Sequence, residues 1–276
     1  MENKIINVNS IFRNSSIYPK PTNFRYDLDE TIKNIMYIKV TSLEMGNVNY
    51  TFSDFRNNNT FTITTSGGTD TINLGSGNFT SSILTTNLQD ILDEINTARG
   101  TDINVSIEVT TGKLLFTCST SITIDFSRTG NTQYKGIKYY FGFNNDSYTG
   151  TSISADSVLN LGGVNYFYMR LNNLENIIDS KVSNAFLKII SDVDKYNTVF
   201  LNGGDYNSKD MVFRSPIDLK YLDIQLIDYL GNELEFNNFD FSFTIEVGYV
   251  YDYNLYKQLN NKGEPDGDNR LKFYYN

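Results

Sequence analysis

Residues 239–247 read FDFSFTIEV. Phe239, Phe241, Phe243, Ile245 and Val247 alternate with Asp240, Ser242, Thr244 and Glu246. A period of two predicts a strand with one buried side, and this is the cleanest alternation in the chain. Weaker versions recur. Phe24, Tyr26 and Leu28 alternate with Arg25 and Asp27. In residues 32–45 Met36, Ile38 and Val40 share one face, with Tyr37 and Lys39 on the other. Residues 4–8, 60–65, 164–171, 184–190 and 218–228 also read as strands, the last offering Leu219, Leu222, Ile224 and Leu226 to a core.

The pattern changes once. Across residues 80–100 Ile83, Leu84, Leu88, Ile91, Leu92 and Ile95 recur at helical spacing and form one apolar stripe. Thr80 or Ser81 can cap the start of this helix and Gly100 its end. Val105, Ile107 and Val109 then alternate with polar residues, a TTGK turn follows and KLLFTC returns, the mark of a hairpin. Ile122, Ile124 and Phe126 supply a further strand. A helix beside a small antiparallel sheet makes an α+β unit, flanked by strand-rich sequence on both sides.

The expected fold is therefore mostly β: a single jelly-roll β-sandwich with an inserted small α+β subdomain, one helix on an antiparallel sheet. The pattern divides the chain into an extended N-terminal arm (1–23), the jelly roll (24–65 and 150–251), the insertion (66–149) and a C-terminal tail (252–276). Two of the four prolines, Pro19 and Pro21, stiffen the lead-in to the strand at Phe24. That lead-in is either an arm reaching a neighbour or a loop packed on its own domain. The tail is turn-rich until RLKFYYN, an aromatic end suited either to docking on a neighbouring subunit or to fraying.

Composition strengthens the β reading. There are 20 Tyr and 19 Phe but only three Ala, at 98, 155 and 185, so strand formers outweigh the best helix former. A net charge of −9, with 23 scattered basic residues, argues against direct nucleic-acid binding. The single cysteine, Cys118, excludes an intrachain disulfide and sits in a strand-like run as a buried thiol. No apolar run is long enough for a transmembrane helix. The polar opening MENKIINVNS lacks an apolar signal core, which predicts a protein made and used in a cytoplasm.

Candidate chemistry is sparse. The chain has no histidine, which removes the commonest general base and metal ligand, and with them Ser-His-Asp and Cys-His arrangements. The 32 acids leave room for a carboxylate pair, while the lack of Trp removes a common sugar-stacking platform. Glu264, Asp266 and Asp268 resemble part of a calcium loop but lack its terminal Glu. Gly75 and Gly77 supply two glycines of a dinucleotide fingerprint without the third. Asp90, Asp93 and Glu94 read as the solvated face of the helix. No catalytic, cofactor-binding or metal residues are expected, and no cofactor: the reading is not an enzyme. Tyr139, Tyr140, Phe141 and Phe143 form either an interface patch or core packing.

A family pattern accompanies these features. Asn9-Ser10 with Arg13, Pro21 with Phe24 and Leu28, Ile32-Lys33-Asn34-Ile35 and Ser42-Leu43-Glu44 follow one another. The blocks GNFTSSILTTNLQDILDEIN, INVSIEVTTGKLLF and PIDLKYLDIQLIDYLGNELEFNNFDFSFTIEV come later, in order. Together they resemble minor capsid and vertex (penton-type) proteins of nucleocytoplasmic large DNA viruses, the giant viruses, over most of residues 5–250. The tail past residue 252 departs from the pattern. The resemblance implies a jelly roll and a structural role in an icosahedral double-stranded DNA virus capsid, in the virion and assembled in host cytoplasm. Its implied partners are the major capsid protein and other minor capsid proteins, with a homo-oligomer, a pentamer at a vertex. A carbohydrate- or receptor-binding β-sandwich on the virion surface is the alternative.

Overall fold

The computed structural model describes residues 1–128, 133–202 and 210–261. They form two antiparallel sheets, each with its own core, and the fold is mostly β as the alternation predicts.

The larger sheet is built on two long strands. β1 (Glu2–Asn9) and β2 (Asn23–Gly46) open the chain; β8 (Tyr166–Leu171), β9 (Leu187–Ile190), β10 (Thr198–Asn202), β11 (Met211–Asp228) and β12 (Ser242–Tyr249) complete it. The hydrogen-bonded order is β1-β12-β2-β11-β8-β9, with β10 also on β2. The register shows that β2 and β11 each serve two layers. Residues 35–44 of β2 pair with β12 on one edge, and residues 35–46 pair with β10 and the start of β11 on the other. Among the described residues, 23–32 of β2 pair only with 219–225 of β11, which continues to β8 and β9. One layer is thus β1, β12, the second half of β2, and β10 with the start of β11. The other is the first half of β2, the second half of β11, β8 and β9. This four-on-four arrangement is a jelly roll in which two strands turn the corner between layers.

The corner has a local cause. Asn34 adopts a left-handed backbone (φ 56) and its amide donates to Asp218 Oδ1 at 3.0 Å. The β2–β11 register slips on either side of Ile217, as a bulge allows. Buried positions of β2 therefore run Ile32, Ile35, Ile38, Val40, Leu43, Met45. Strict alternation fails there, and Met36 is only half-buried. Across the core, Phe24 of one layer meets Phe241 of the other edge-on, centroids 6.1 Å apart. Phe239 is not part of the buried face. β12 starts at Ser242, and left-handed Asn237 and Asn238 turn the chain so that Phe239 is half exposed.

The second sheet is local. β3 (Thr60–Thr65) and β5 (Asn104–Ile107) share one edge of β6 (Leu114–Asp125), and β7 (Ser147–Ser154) takes the other; β4 (Gly68–Asn73) pairs with β3. Residues 60–65, which their pattern assigned to the jelly roll, thus belong here, and so does β7 up to residue 154. α1 (Ser81–Arg99) lays Leu84, Leu88, Leu92 and Ile95 on the sheet. Thr80 caps its first turn through Ile83 N at 3.3 Å, and Gly100 ends it in a left-handed conformation (φ 66). The short helix α2 (Ile137–Phe141) closes this core.

The N-terminal segment is not a free arm. Residues 2–9 are a full partner of β12. Residues 10–22 are tied to their own domain by Arg13, which donates to Asp240 Oδ1 (2.6 Å), to Ser10 O (2.8 Å) and to Tyr18 O (3.1 Å). The tail begins with a helix, α3 (Tyr253–Asn261); the rest of it lies outside the described residues.

Candidate assembly surfaces

The expected candidates fall mostly into structural roles. Tyr140, Phe141 and Phe143 are buried in the second core and only Tyr139 is exposed. The core reading of this cluster holds and the patch reading is corrected. Spacing alone hid this because the short helix α2 turns Tyr140 and Phe141 inward and the chain leaving it at Gly142 buries Phe143. Cys118 is buried and donates to Asp102 Oδ1 at 3.2 Å. The Ser119 amide and hydroxyl, followed by that thiol, hold the Asp102 carboxyl below its ordinary range. Gly77 exchanges backbone hydrogen bonds with Phe52 (2.9 and 3.1 Å), fastening the start of the second unit. Asp90, Asp93 and Glu94 are exposed on α1. Glu264, Asp266 and Asp268 lie outside the described residues. Among the described residues no group of three or more His, Cys, Asp or Glu is arranged to hold a metal, and no helix is long and apolar enough to cross a membrane.

Three features stand out instead. The first is an apolar end of the jelly roll. With Arg13 clamping its loop, Ile11, Phe12 and Ile17 are left outward, Phe12 with 82% of its surface exposed. Ile11 and Phe239 line a hollow of about 240 Å3 with Met45, Gly46 and Thr198. Gly46 ends β2, so this surface lies where the second unit leaves the jelly roll; Lys20, in the same loop, sits over the Phe55 ring at 5.1 Å. Exposed aromatic and aliphatic groups clustered beside polar ones are typical of protein contacts.

The second is the joint between the two units, which the sequence pattern did not reveal. Residues 47–59, NVNYTFSDFRNNN, bury Asn47, Asn49, Thr51, Ser53, Arg56, Asn58 and Asn59. Arg56 is 2% exposed. Its Nη1 donates to Tyr50 O at 3.0 Å and its guanidinium lies 5.7 Å from the Tyr134 ring centroid. Its Nε and Nη2 have no acceptor among the described residues. Around it, burial raises the Asp228 carboxyl pKa, an effect that the Asn232 and Leu230 amides and then Arg56 oppose. Burial, then Arg56, pulls Lys195 down to about 8. The joint is stitched by Ser53 Oγ to Glu235 Oε2 (2.5 Å), Lys195 Nζ to Asn49 O (3.0 Å) and Tyr134 Oη to Glu233 O (3.1 Å). The only sequence signal was a polar, Asn-rich run between two strand patterns.

The third is a seam. Among the described residues β1 pairs only with β12, and residues 23–32 of β2 pair only with β11. Between these two edges runs a groove of about 510 Å3 lined by residues 4–7, by Tyr26 and Leu28, and by Asp29, Glu30 and Ile32. Lys4 and Glu30 bridge it at 2.5 Å on its exposed side.

No family model matches the chain, and no curated protein matches it. Among solved structures, the crystal structure of a selenomethionine-labelled mavirus penton protein aligns over 90% of this chain and 100% of that chain, at 11% identity and a TM-score of 0.46.

Proposed function

We propose that this chain is a structural component of an icosahedral double-stranded DNA virus capsid, as the vertex (penton) protein or a minor capsid protein contacting the major capsid lattice. The observation that carries the reading is the jelly roll itself. Its two layers come from strands at both ends of the chain, and a second unit, about residues 52–161, is inserted at one end. The order of short motifs from Asn9 to Glu246 supports the same reading.

The surfaces fit a packed shell. A jelly roll offers its strand edges and loop ends to neighbours, and here one end carries Ile11, Phe12, Ile17 and Phe239. A vertex protein closes a ring through one patch on each copy meeting a different patch on the next. The inserted unit and this apolar end lie together, so one neighbour can touch both. The partners on this reading are further copies of the chain, the major capsid protein and other minor capsid proteins. The protein acts in the virion, after assembly in host cytoplasm.

The test is the solution mass of the purified protein by light scattering at several concentrations. The monomer is 31.5 kDa. A stable pentamer with fivefold rings in electron micrographs supports the vertex role. A monomer at every concentration overturns it and leaves the minor capsid role. Absence of the protein from purified particles, read by mass spectrometry, overturns both.

A further inference from the structure

We propose that the free edge of β2, residues 24–31, is a docking site for an extended segment of a partner protein in which basic and apolar residues alternate. The segment adds to the layer as a strand beside β2. The proposal does not depend on the capsid reading, because it is tested on the purified chain.

The edge is both long and bare. Among the described residues, 24–31 have β11 on one side and no strand on the other, and no turn or loop backbone bonds to them. At about 3.3 Å per residue this stretch runs about 26 Å. Its outward N–H and C=O groups are a template for a further strand. The groove beside it also lacks an apolar partner. Tyr26, Leu28 and Ile32 line it from β2, and Ile6 lines it from β1. Tyr26 and Leu28 pack on the main core yet are only half-buried. Apolar side chains laid beside them complete that burial.

The acids choose the partner. Asp27 and Asp29 alternate with Tyr26 and Leu28, so they lie on the opposite face of the strand, and both are exposed. Among the described residues neither belongs to an ion pair. Two cations of this region are already committed, Arg25 to Asp223 (2.7 Å) and Lys4 to Glu30 (2.5 Å). Basic residues on an incoming strand therefore meet two unpaired carboxylates, while its apolar residues cover Tyr26 and Leu28. Opposite charges across strands favour the same register that buries the apolar side, and a slip of one residue loses both. The same edge of a second copy is a poor occupant, because it lays acids beside acids. The net charge of −9 adds a long-range attraction for basic segments.

The probe is a capped synthetic peptide, KVKVKVK, with EVEVEVE as its acidic counterpart, added to the full chain and followed by residue-resolved hydrogen exchange. In the chain alone, the amides of residues 24–31 that point away from β11 are expected to exchange at least tenfold faster than those bonded to it. KVKVKVK is expected to slow them at least tenfold and to leave the outer edges of β9 and β4 unchanged, while EVEVEVE has no effect. Asp27→Lys combined with Asp29→Lys should weaken KVKVKVK binding at least tenfold, read by fluorescence anisotropy of the labelled peptide, and admit EVEVEVE. The milder pair Asp27→Asn and Asp29→Asn should weaken it less, in the same direction. Slow exchange of these amides in the dilute chain alone would show that the chain covers its own edge. Protection that grows with protein concentration would show that a second copy does. Either result overturns the proposal, as do absence of binding, equal slowing at β9 and β4, or an affinity that charge reversal leaves unchanged.

Discussion

The jelly roll and the inserted unit bury similar residues by opposite means. The jelly roll is assembled from distant pieces: β1 pairs with β12, so Glu2 lies opposite Tyr249. Its core depends on two long strands bending at one corner. The inserted unit is continuous, a helix and hairpins folded on their sequence neighbours around a knot of rings. Phe141 touches Phe52, Phe61 and Phe126 with centroids 5.8–6.5 Å apart. Local contacts close at less entropic cost than distant ones. The inserted unit should therefore behave as a folding unit of its own, tied to the jelly roll through the polar joint.

The strongest way to break this comparison is to damage one core and watch the other. Phe141→Ala removes a fully buried ring and is expected to destabilise the inserted unit by about 3–5 kcal/mol. Hydrogen exchange should speed up in α1 and β6 while β12 keeps its protection. Equal loss in both would show one cooperative unit.

The joint comes next. Arg56→Met leaves the Tyr50 carbonyl at the joint without its buried guanidinium donor, a loss of about 1–3 kcal/mol by the usual cost of an unsatisfied buried group. Urea unfolding, followed separately in each unit, should show the two transitions lying further apart than in wild type. Unshifted transitions would mean that the hydrogen bonds from Ser53, Lys195 and Tyr134 hold the units together without it.

How much of this was legible follows from the same contrast. α1, with its stripe, Thr80 cap and Gly100 stop, is written in adjacent residues, and so is the β5–β6 hairpin. β12 could be read because its alternation is unbroken. β2 was read in two pieces because left-handed Asn34 resets its alternation. The lead-in looked like an arm because its prolines are visible in sequence, whereas the Arg13 clamp requires Asp240, more than two hundred residues away. The joint was missed for a stronger reason. Its Asn, Ser and Arg side chains are ordinary loop chemistry until tertiary contacts bury them, and no local period marks that.

The corner offers a smaller test. Asn34→Val places a β-branched residue where φ is 56, so a loss of about 1–2 kcal/mol is expected, with Asn34→Gly close to wild type. Thermal unfolding of both variants checks this. Equal losses would place the effect in the Asn34 side-chain bond to Tyr251 O and not in the backbone.

The pH dependence sharpens the picture of the joint. Burial brings Lys195 down to about 8 in the folded protein, against the ordinary lysine value of about 10.4. The unfolded chain therefore binds the extra proton between those values, and stability rises as pH climbs through the window. Between about pH 8 and 9.5, before free tyrosines begin to ionise, the rise should be about 1 kcal/mol in wild type and absent in Lys195→Met. Tyr134, pushed up to about 12 chiefly by burial, stays neutral there. A flat wild-type profile would mean that water reaches Lys195 in solution.

The smallest effect on stability carries the most functional weight. Phe12→Ser exchanges an exposed ring for a hydroxyl at a position that contributes nothing to either core, so the monomer should change by no more than about 0.5 kcal/mol. The change in self-association should be much larger, because aromatic anchors dominate contact energies once they are buried against a partner. If Phe12→Ser and Ile17→Ser leave both unfolding and solution mass as in wild type, the apolar end is not the contact between copies. If unfolding is unchanged and the mass falls to 31.5 kDa, folding and assembly use separate residues. That separation is expected where Arg13 anchors the loop from within and Ile11, Phe12 and Ile17 are left to face a neighbour.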